Sequence, residues 1–409
     1  MPNVQIKRRG SGDVRASAGG WPAVGAVTLG IFTVMTAELL PVGLLTPVGA
    51  ALGVSAGTAG LMVTVPGLVA AAAAPLIAAR AGALDRRTLL GALMALVAVA
   101  NLASAVAGSF ALVLGARVLL GVAIGGFWAL AGGLATRLVP PARTARATAV
   151  IFGGVSAASV LGVPAATLAA DATSWRWAFA GVGALALIAL GCLLTLLPRL
   201  PGATSTGTGA GRRAGGPGRG PWAAAWGNRR VRVGAAVTFL LVTGHFTAYS
   251  FVRPLLADVS GVPDRWVGPL LLGYGAAGLV GNFLAGGPAA RRPRRVLVLI
   301  GAALTAVLGG FALAGGITVA GAGLLLGWGL AYGGVSVGLQ SWFLRAAPDA
   351  AETAAGLYVC VFCLSLALGA LIGGPLVDTF EASAVLWAGA ALTLAAAVVA
   401  ALFGRKHHA

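Results

Sequence analysis

Residues 30–49 read GIFTVMTAELLPVGLLTPVG, apolar enough for a bilayer interior, yet they carry a carboxylate, Glu38. At membrane depth such a group costs on the order of several kcal/mol unless it faces a partner, lines a wet cavity or takes up a proton. Of the ten acidic residues, it alone lies deep in an apolar run. Asp171, Asp258, Asp264, Asp378 and Glu381 fall at one set of run ends, and Asp13, Asp85, Asp349 and Glu352 at the other. Two further ionisable groups share its setting: Arg117 in GARVLLGVAIGG, and His245 in TGHFTAYSF with Tyr249 one helical turn later.

Two readings stand for each. Glu38 lies roughly 24 Å along its helix from the basic end, and Arg117 roughly 10 Å from the other end of its own, at about 1.5 Å per residue, so their depths match. They form either a fixed ion pair joining two helices or an exchange site. In the second reading Glu38 takes up and releases a proton and Arg117 tunes its charged form. His245 is either a hydrogen-bonded packing residue or a second polar group of a cavity, binding substrate or relaying a proton.

The elements that must position these groups are membrane helices. The 409 residues are 58% hydrophobic and 9% charged, with 64 glycines, and the mean hydropathy is +0.94. That composition excludes a soluble globular domain and a disordered chain alike. Runs of about 20 apolar residues predict twelve spans, at 23–44, 57–79, 88–109, 111–136, 146–170, 177–197, 232–256, 266–288, 295–314, 317–343, 353–377 and 383–403. The fold class is therefore all-α, with twelve transmembrane helices in two six-helix bundles. The predicted organisation is an N-terminal tail (1–22), a first bundle (23–198), a linker (199–230), a second bundle (231–404) and a C-terminal tail (405–409). The linker contains GATSTGTGAGRRAGGPGRGP, which cannot build a packed core. The N-terminal tail is basic and polar, and the first apolar run is too long for a signal-peptide core, so it stays as span 1.

The net charge of +18 would suggest a nucleic-acid partner in a soluble protein, but here it sits in short loops and reports orientation. Of 28 basic residues, 24 fall on the side of the termini, three (Arg176, Arg253 and Arg265) on the other, and Arg117 within a span. Both termini are predicted to be cytoplasmic, in an inner or plasma membrane. Arg253 reads as a rim anchor, and Arg176 with Trp175 and Trp177 as interfacial.

Asn101, Asn282, Gln340, Trp128, Tyr332 and Trp342 complete the polar and large aromatic groups within spans. Each reads first as helix-packing glue, and as a set they supply groups able to orient a ligand in an apolar pocket. Gly154, Gly162 and Pro164, in GVSAASVLGVP, predict a closely packed, kinked span 5 suited to a seal between the halves. Cys192, Cys360 and Cys363 all lie in apolar runs and read as small packing residues. No phosphate loop or metal-ligand spacing is present, so neither an enzyme nor a cofactor or metal is implied, and energy must come from an ion gradient.

Several stretches together resemble the major facilitator superfamily over essentially the whole chain, and within it the twelve-span drug:proton antiporter branch with its sugar-, nucleoside- and chloramphenicol-efflux members. They are TAELLPVGLL, LDRR after span 2, GARVLLGVAIGG, GVSAASVLGVP, TGHFTAYSFVRPLL, GYGAAGLVGNFLAG and GLQSWFLRAAPDAAETA. Of the superfamily's loop motif the chain keeps Asp85, Arg86 and Arg87, and in its span 5 motif Val163 separates Gly162 from Pro164. The resemblance implies alternating access about a midplane site between two repeats. It implies a monomer working in the lipid bilayer, with Glu38 and Arg117 in proton coupling. His245, Tyr249, Asn101, Asn282, Gln340, Trp128 and Tyr332 would line the substrate cavity, and Asp85, Arg86 and Arg87 would pair across the cytoplasmic face. The expected function is proton-coupled export of a small organic compound, with neutral drugs, sugars and nucleosides all admitted. An uptake symporter on the same fold is one alternative, and a non-transporting membrane receptor another.

Overall fold

The computed structural model describes residues 20–80, 84–200 and 225–403. The terminal tails and most of the linker, including Arg212, Arg213 and Arg219, lie outside them. Among the described residues, twelve helices are long and apolar enough to cross a membrane. Spans 1–6 are Gly20–Leu52, Ala56–Ile77, Arg86–Ala105, Phe110–Leu130, Arg146–Ala172 and Trp175–Leu196. Spans 7–12 are Arg229–Tyr249, Asp264–Arg291, Pro293–Ala314, Thr318–Ala346, Thr353–Thr379 and Ser383–Phe403. In hydrocarbon each backbone polar group needs an internal partner, which a helix supplies. Side chains punctuate the ends: Asp85 caps span 3, accepting from Thr88 N at 3.1 Å. Ser109, Ser174 and Asn228 likewise begin spans 4, 6 and 7.

Three boundaries differ from the sequence reading. Span 1 runs on to Leu52 with Pro41 and Pro47 inside one continuous helix. Span 3 stops at Ala105, where Ser104 and Asn101 turn back on their own helix and Ser109 starts the next. The regular part of span 7 ends at Tyr249; a short helix Val252–Pro254 and a π turn Leu255–Val259 follow, since Pro254 has no N–H to continue the ladder.

One apolar core gathers residues of spans 1–6, with Phe251 and Cys363 reaching into it from the second half. The other gathers spans 7–12, with Val42 and Val63 reaching in from the first. The halves meet along spans 2 and 11 and along spans 5 and 8. We call the surface bearing Arg80, Arg86, Arg137, Arg229 and Arg291 the basic rim, and the one bearing Asp171, Asp264 and Asp378 the opposite rim.

Candidate transport site

Glu38 is buried on span 1, and its Oε2 has no hydrogen-bond partner. Val42, one helical turn further on and so on the same face of span 1, packs in the core of the second half, which puts Glu38 on the seam side of its helix. Arg117 is at the expected depth but not in the expected pair. Its Nη1 donates to the carbonyl of Ala37, next to Glu38, at 2.9 Å. Its guanidinium lies 4.8 Å from the Phe179 ring centre, and Nε and Nη2 are unpartnered. No ion pair joins Glu38 and Arg117, which corrects the fixed-pair reading for this conformation. The arginine is held by a carbonyl and a π face instead.

His245 is the centre of an aromatic column built by spans 7, 8 and 10. It stacks on Tyr332 at 3.4 Å between ring centres and on Tyr249 at 4.9 Å. Tyr249 stacks in turn on Tyr274 at 4.8 Å. Trp328 crosses the column edge-on and donates its indole N–H to His245 Nδ1 at 3.0 Å. His245 Nε2 and the hydroxyls of Tyr274 and Tyr332 are buried without partners. Unpaired buried polar groups are costly, and three of them meet in this column. Of the two readings of His245, the hydrogen-bonded one holds at Nδ1, while Nε2 is left without a partner.

The remaining candidates are not drawn to this column by any hydrogen bond or ring contact among the described residues. Asn101 donates to Val97 O of its own helix at 2.8 Å and leaves its carbonyl unpaired. Asn282 and Gln340 are half-buried. Trp128 stacks on Phe152 at 6.0 Å and lines a small apolar recess with Ile31, Val34, Met35 and Phe127, remote from His245 in the contacts it makes. Cys360 donates to Ala71 O across the seam at 3.3 Å.

The gating residues divide. Asp85 spends its carboxylate on the span 3 cap, and the backbone N–H of Arg86 donates to Leu200 O at 3.0 Å. Neither these two nor Arg87 crosses to the second half by a hydrogen bond or ion pair among the described residues, so the expected pairing across the cytoplasmic face, which belongs to one state of the cycle, is not formed in this conformation. Gly154 and Gly162 press span 5 against Thr28 and Thr36 of span 1 in their own half, so they do not form the seal either. Beside them a π segment, Ala158–Gly162, precedes Pro164, and its backbone at Ser159 and Val160 meets Gly275 of span 8 across the seam.

Among the described residues, the ion pair that crosses between the halves lies at the opposite rim. Arg253, expected to be a mere anchor, is buried and bridges the halves. It donates to Gly43 O at 2.9 Å, to Asp171 at 2.9 Å and to Asp264 at 3.2 Å. On the other flank of the seam Asp378 of span 11 accepts from Gly57 N at 2.8 Å and from the Ser55 hydroxyl. Trp175 is buried and only Trp177 is exposed, while Arg176 donates to Ala107 O at 2.8 Å.

The sequence model of the Major Facilitator Superfamily matches residues 27–370. The chain belongs to that superfamily. This member is 35% identical over 390 residues, 95% of each chain, to a Pseudomonas aeruginosa protein named transcription regulatory protein OpdE. It is 32% identical over 382 residues, 93% of each chain, to the purine ribonucleoside efflux pump NepI of Escherichia coli O6:K15:H31. In fold it is similar to a mutant form of the nucleoside transporter NupG, at a TM-score of 0.73 and 13% identity, covering 94% of this chain and 100% of that one. It is also similar to an inward-facing, unoccupied bacterial homologue of the lysosomal transporter Spinster, at a TM-score of 0.72 and 16% identity, covering 95% and 96%. Superfamily members are transporters, not enzymes, and this one is a multi-pass membrane protein acting on a small molecule.

Two residues of the aromatic column escaped the sequence reading, Trp328 and Tyr274. Trp328 precedes Tyr332 by four residues, the same one-turn spacing that pairs His245 with Tyr249, and that repetition was the available signal. Tyr274 has no such partner in its own helix, and only packing against Tyr249 reveals it.

Proposed function

We propose that this transporter exports a nucleoside-like organic compound in exchange for protons, with Glu38 as the carboxyl group that carries the proton. The single observation behind the coupling is the buried, partnerless Glu38 carboxyl on the seam side of span 1. A group so placed is relieved by a proton or by a cation at each stage of the cycle, and the column provides rings on which a nucleobase would stack. The efflux activity named for the relative 32% identical to this chain supports the ligand class and the direction.

In this reading both termini are cytoplasmic and the basic rim faces the cytoplasm. Glu38 is protonated when the site opens outward. Opening inward releases the proton, Arg117 offsets the carboxylate, and substrate enters beside His245, Tyr249 and Tyr332. In the state open outward, Asp85, Arg86 and Arg87 pair across the basic rim in place of the Arg253 and Asp378 contacts.

Proteoliposomes holding a pH-sensitive dye, challenged with nucleosides, phenicols, sugars and cationic dyes, test this with wild type beside Glu38→Gln. Substrate-driven proton movement in wild type, lost in the variant while binding persists, is the expected result. Retained coupling in Glu38→Gln removes Glu38 from the role, and binding without flux in wild type removes export itself.

A further inference from the structure

An indole N–H can only donate. Because Trp328 donates to Nδ1 of His245 at 3.0 Å, that nitrogen presents a lone pair, and the ring proton of the neutral imidazole sits on Nε2. The Nε2–H is then fixed as a donor, buried and without a partner. The imidazole cannot swivel to hide it, because Tyr332 covers one face at 10° between planes and Tyr249 is stacked at 21°. A proton added at Nδ1 would set two N–H groups head to head. Hence His245 is arranged to donate to a ligand and is removed from proton relay.

We infer that Trp328 is a positioning residue that locks His245 as an Nε2–H donor, and that the site selects planar heteroaromatic substrates carrying an in-plane hydrogen-bond acceptor. The ligand class rests on the export reading; the tautomer does not. A substrate lacking the acceptor would leave the Nε2–H unpaired in a dry site, which is the condition for strong discrimination.

The experiment has two arms. In protein labelled with 15N-histidine, with His407 and His408 replaced by alanine, Nε2 is expected to give the pyrrole-type signal and Nδ1 the pyridine-type signal. Trp328→Phe, which keeps a ring and removes the N–H, is expected to mix the two. In the second arm, binding is measured for a purine ribonucleoside and its deaza analogues, each replacing one ring nitrogen by C–H. One analogue is expected to bind wild type about tenfold more weakly, with the gap closing in Trp328→Phe. His245→Gln, whose amide reaches the Nε2 position, is expected to keep the gap, and His245→Asn to lose it, which guards against a Trp328 variant that fails to fold. A protonated Nδ1 in wild type, or equal affinity for every analogue, overturns the inference. If no ribonucleoside binds wild type, the nucleoside reading and the selectivity both fall, while the nitrogen signals still decide the lock.

Discussion

The imidazole of His245 lies flat on the ring of Tyr332, with centres 3.4 Å apart and planes 10° from parallel. Tyr249 is stacked on the same imidazole at 4.9 Å and 21°, so two tyrosine rings confine its plane.

Tyr332→Phe retains the stacking face and loses only an unpartnered hydroxyl, so substrate affinity is expected to stay within about threefold of wild type. Tyr332→Ala removes the face, and a loss of about tenfold is expected from the lost ring contact. Isothermal titration with the transported compound measures both; equal losses would mean that the hydroxyl, not the ring, is what the site uses.

Arg253 is expected to hold the opposite rim closed. Its fork reaches a carbonyl and two carboxylates at once, which a lysine ammonium cannot match. Arg253→Ala is expected to raise the fraction open at that rim about tenfold, equivalent to about 1.4 kcal/mol, with Arg253→Lys in between. Spin labels on Ala51→Cys and Glu381→Cys report the distance distribution. An unchanged distribution in the alanine variant would return Arg253 to the role of a passive anchor.

Glu38 and Arg117 lie at one depth without an ion pair, so a double-mutant cycle in this conformation is expected to show little coupling. Stability in micelles, measured for Glu38→Gln, Arg117→Gln and the double variant, should be additive within about 0.5 kcal/mol. Arg117→Gln alone is expected to cost about 1–3 kcal/mol, from the bond to Ala37 and the contact with Phe179. A coupling energy above about 1.5 kcal/mol would restore the fixed ion pair.

Gly275 and Gly162 separate two kinds of close packing. A side chain at Gly275 meets the span 5 backbone at Ser159 and Val160 across the seam, so Gly275→Val is expected to disfavour this conformation and slow transport while leaving the fold intact. A side chain at Gly162 meets Thr36 within its own half; Gly162→Val is expected to lower thermal stability instead. Thermal unfolding and flux, measured on both variants, check the division, and identical profiles would contradict it.

Twelve spans, two halves, the intramembrane Glu38, Arg117 and His245, and the one-turn pairing of His245 with Tyr249 were legible in the residues themselves. Hydrocarbon admits long apolar helices and penalises charge, so run length and a lone carboxylate carry their meaning without a partner in view. Sequence also matched the depths of Glu38 and Arg117, because rise per residue is constant along a helix. Contacts between helices have no such regularity. Whether Arg117 bonds a carboxylate or the carbonyl beside it, whether Asp85 latches the basic rim or caps its own helix, and whether Arg253 anchors or bridges depend on side-chain directions that only the packed bundle sets. The same holds for Trp328 and Tyr274, which reach the His245–Tyr249 column from helices distant in the chain: the sequence places each ring in its span, and tertiary packing alone brings Trp328 to the imidazole and Tyr274 to Tyr249.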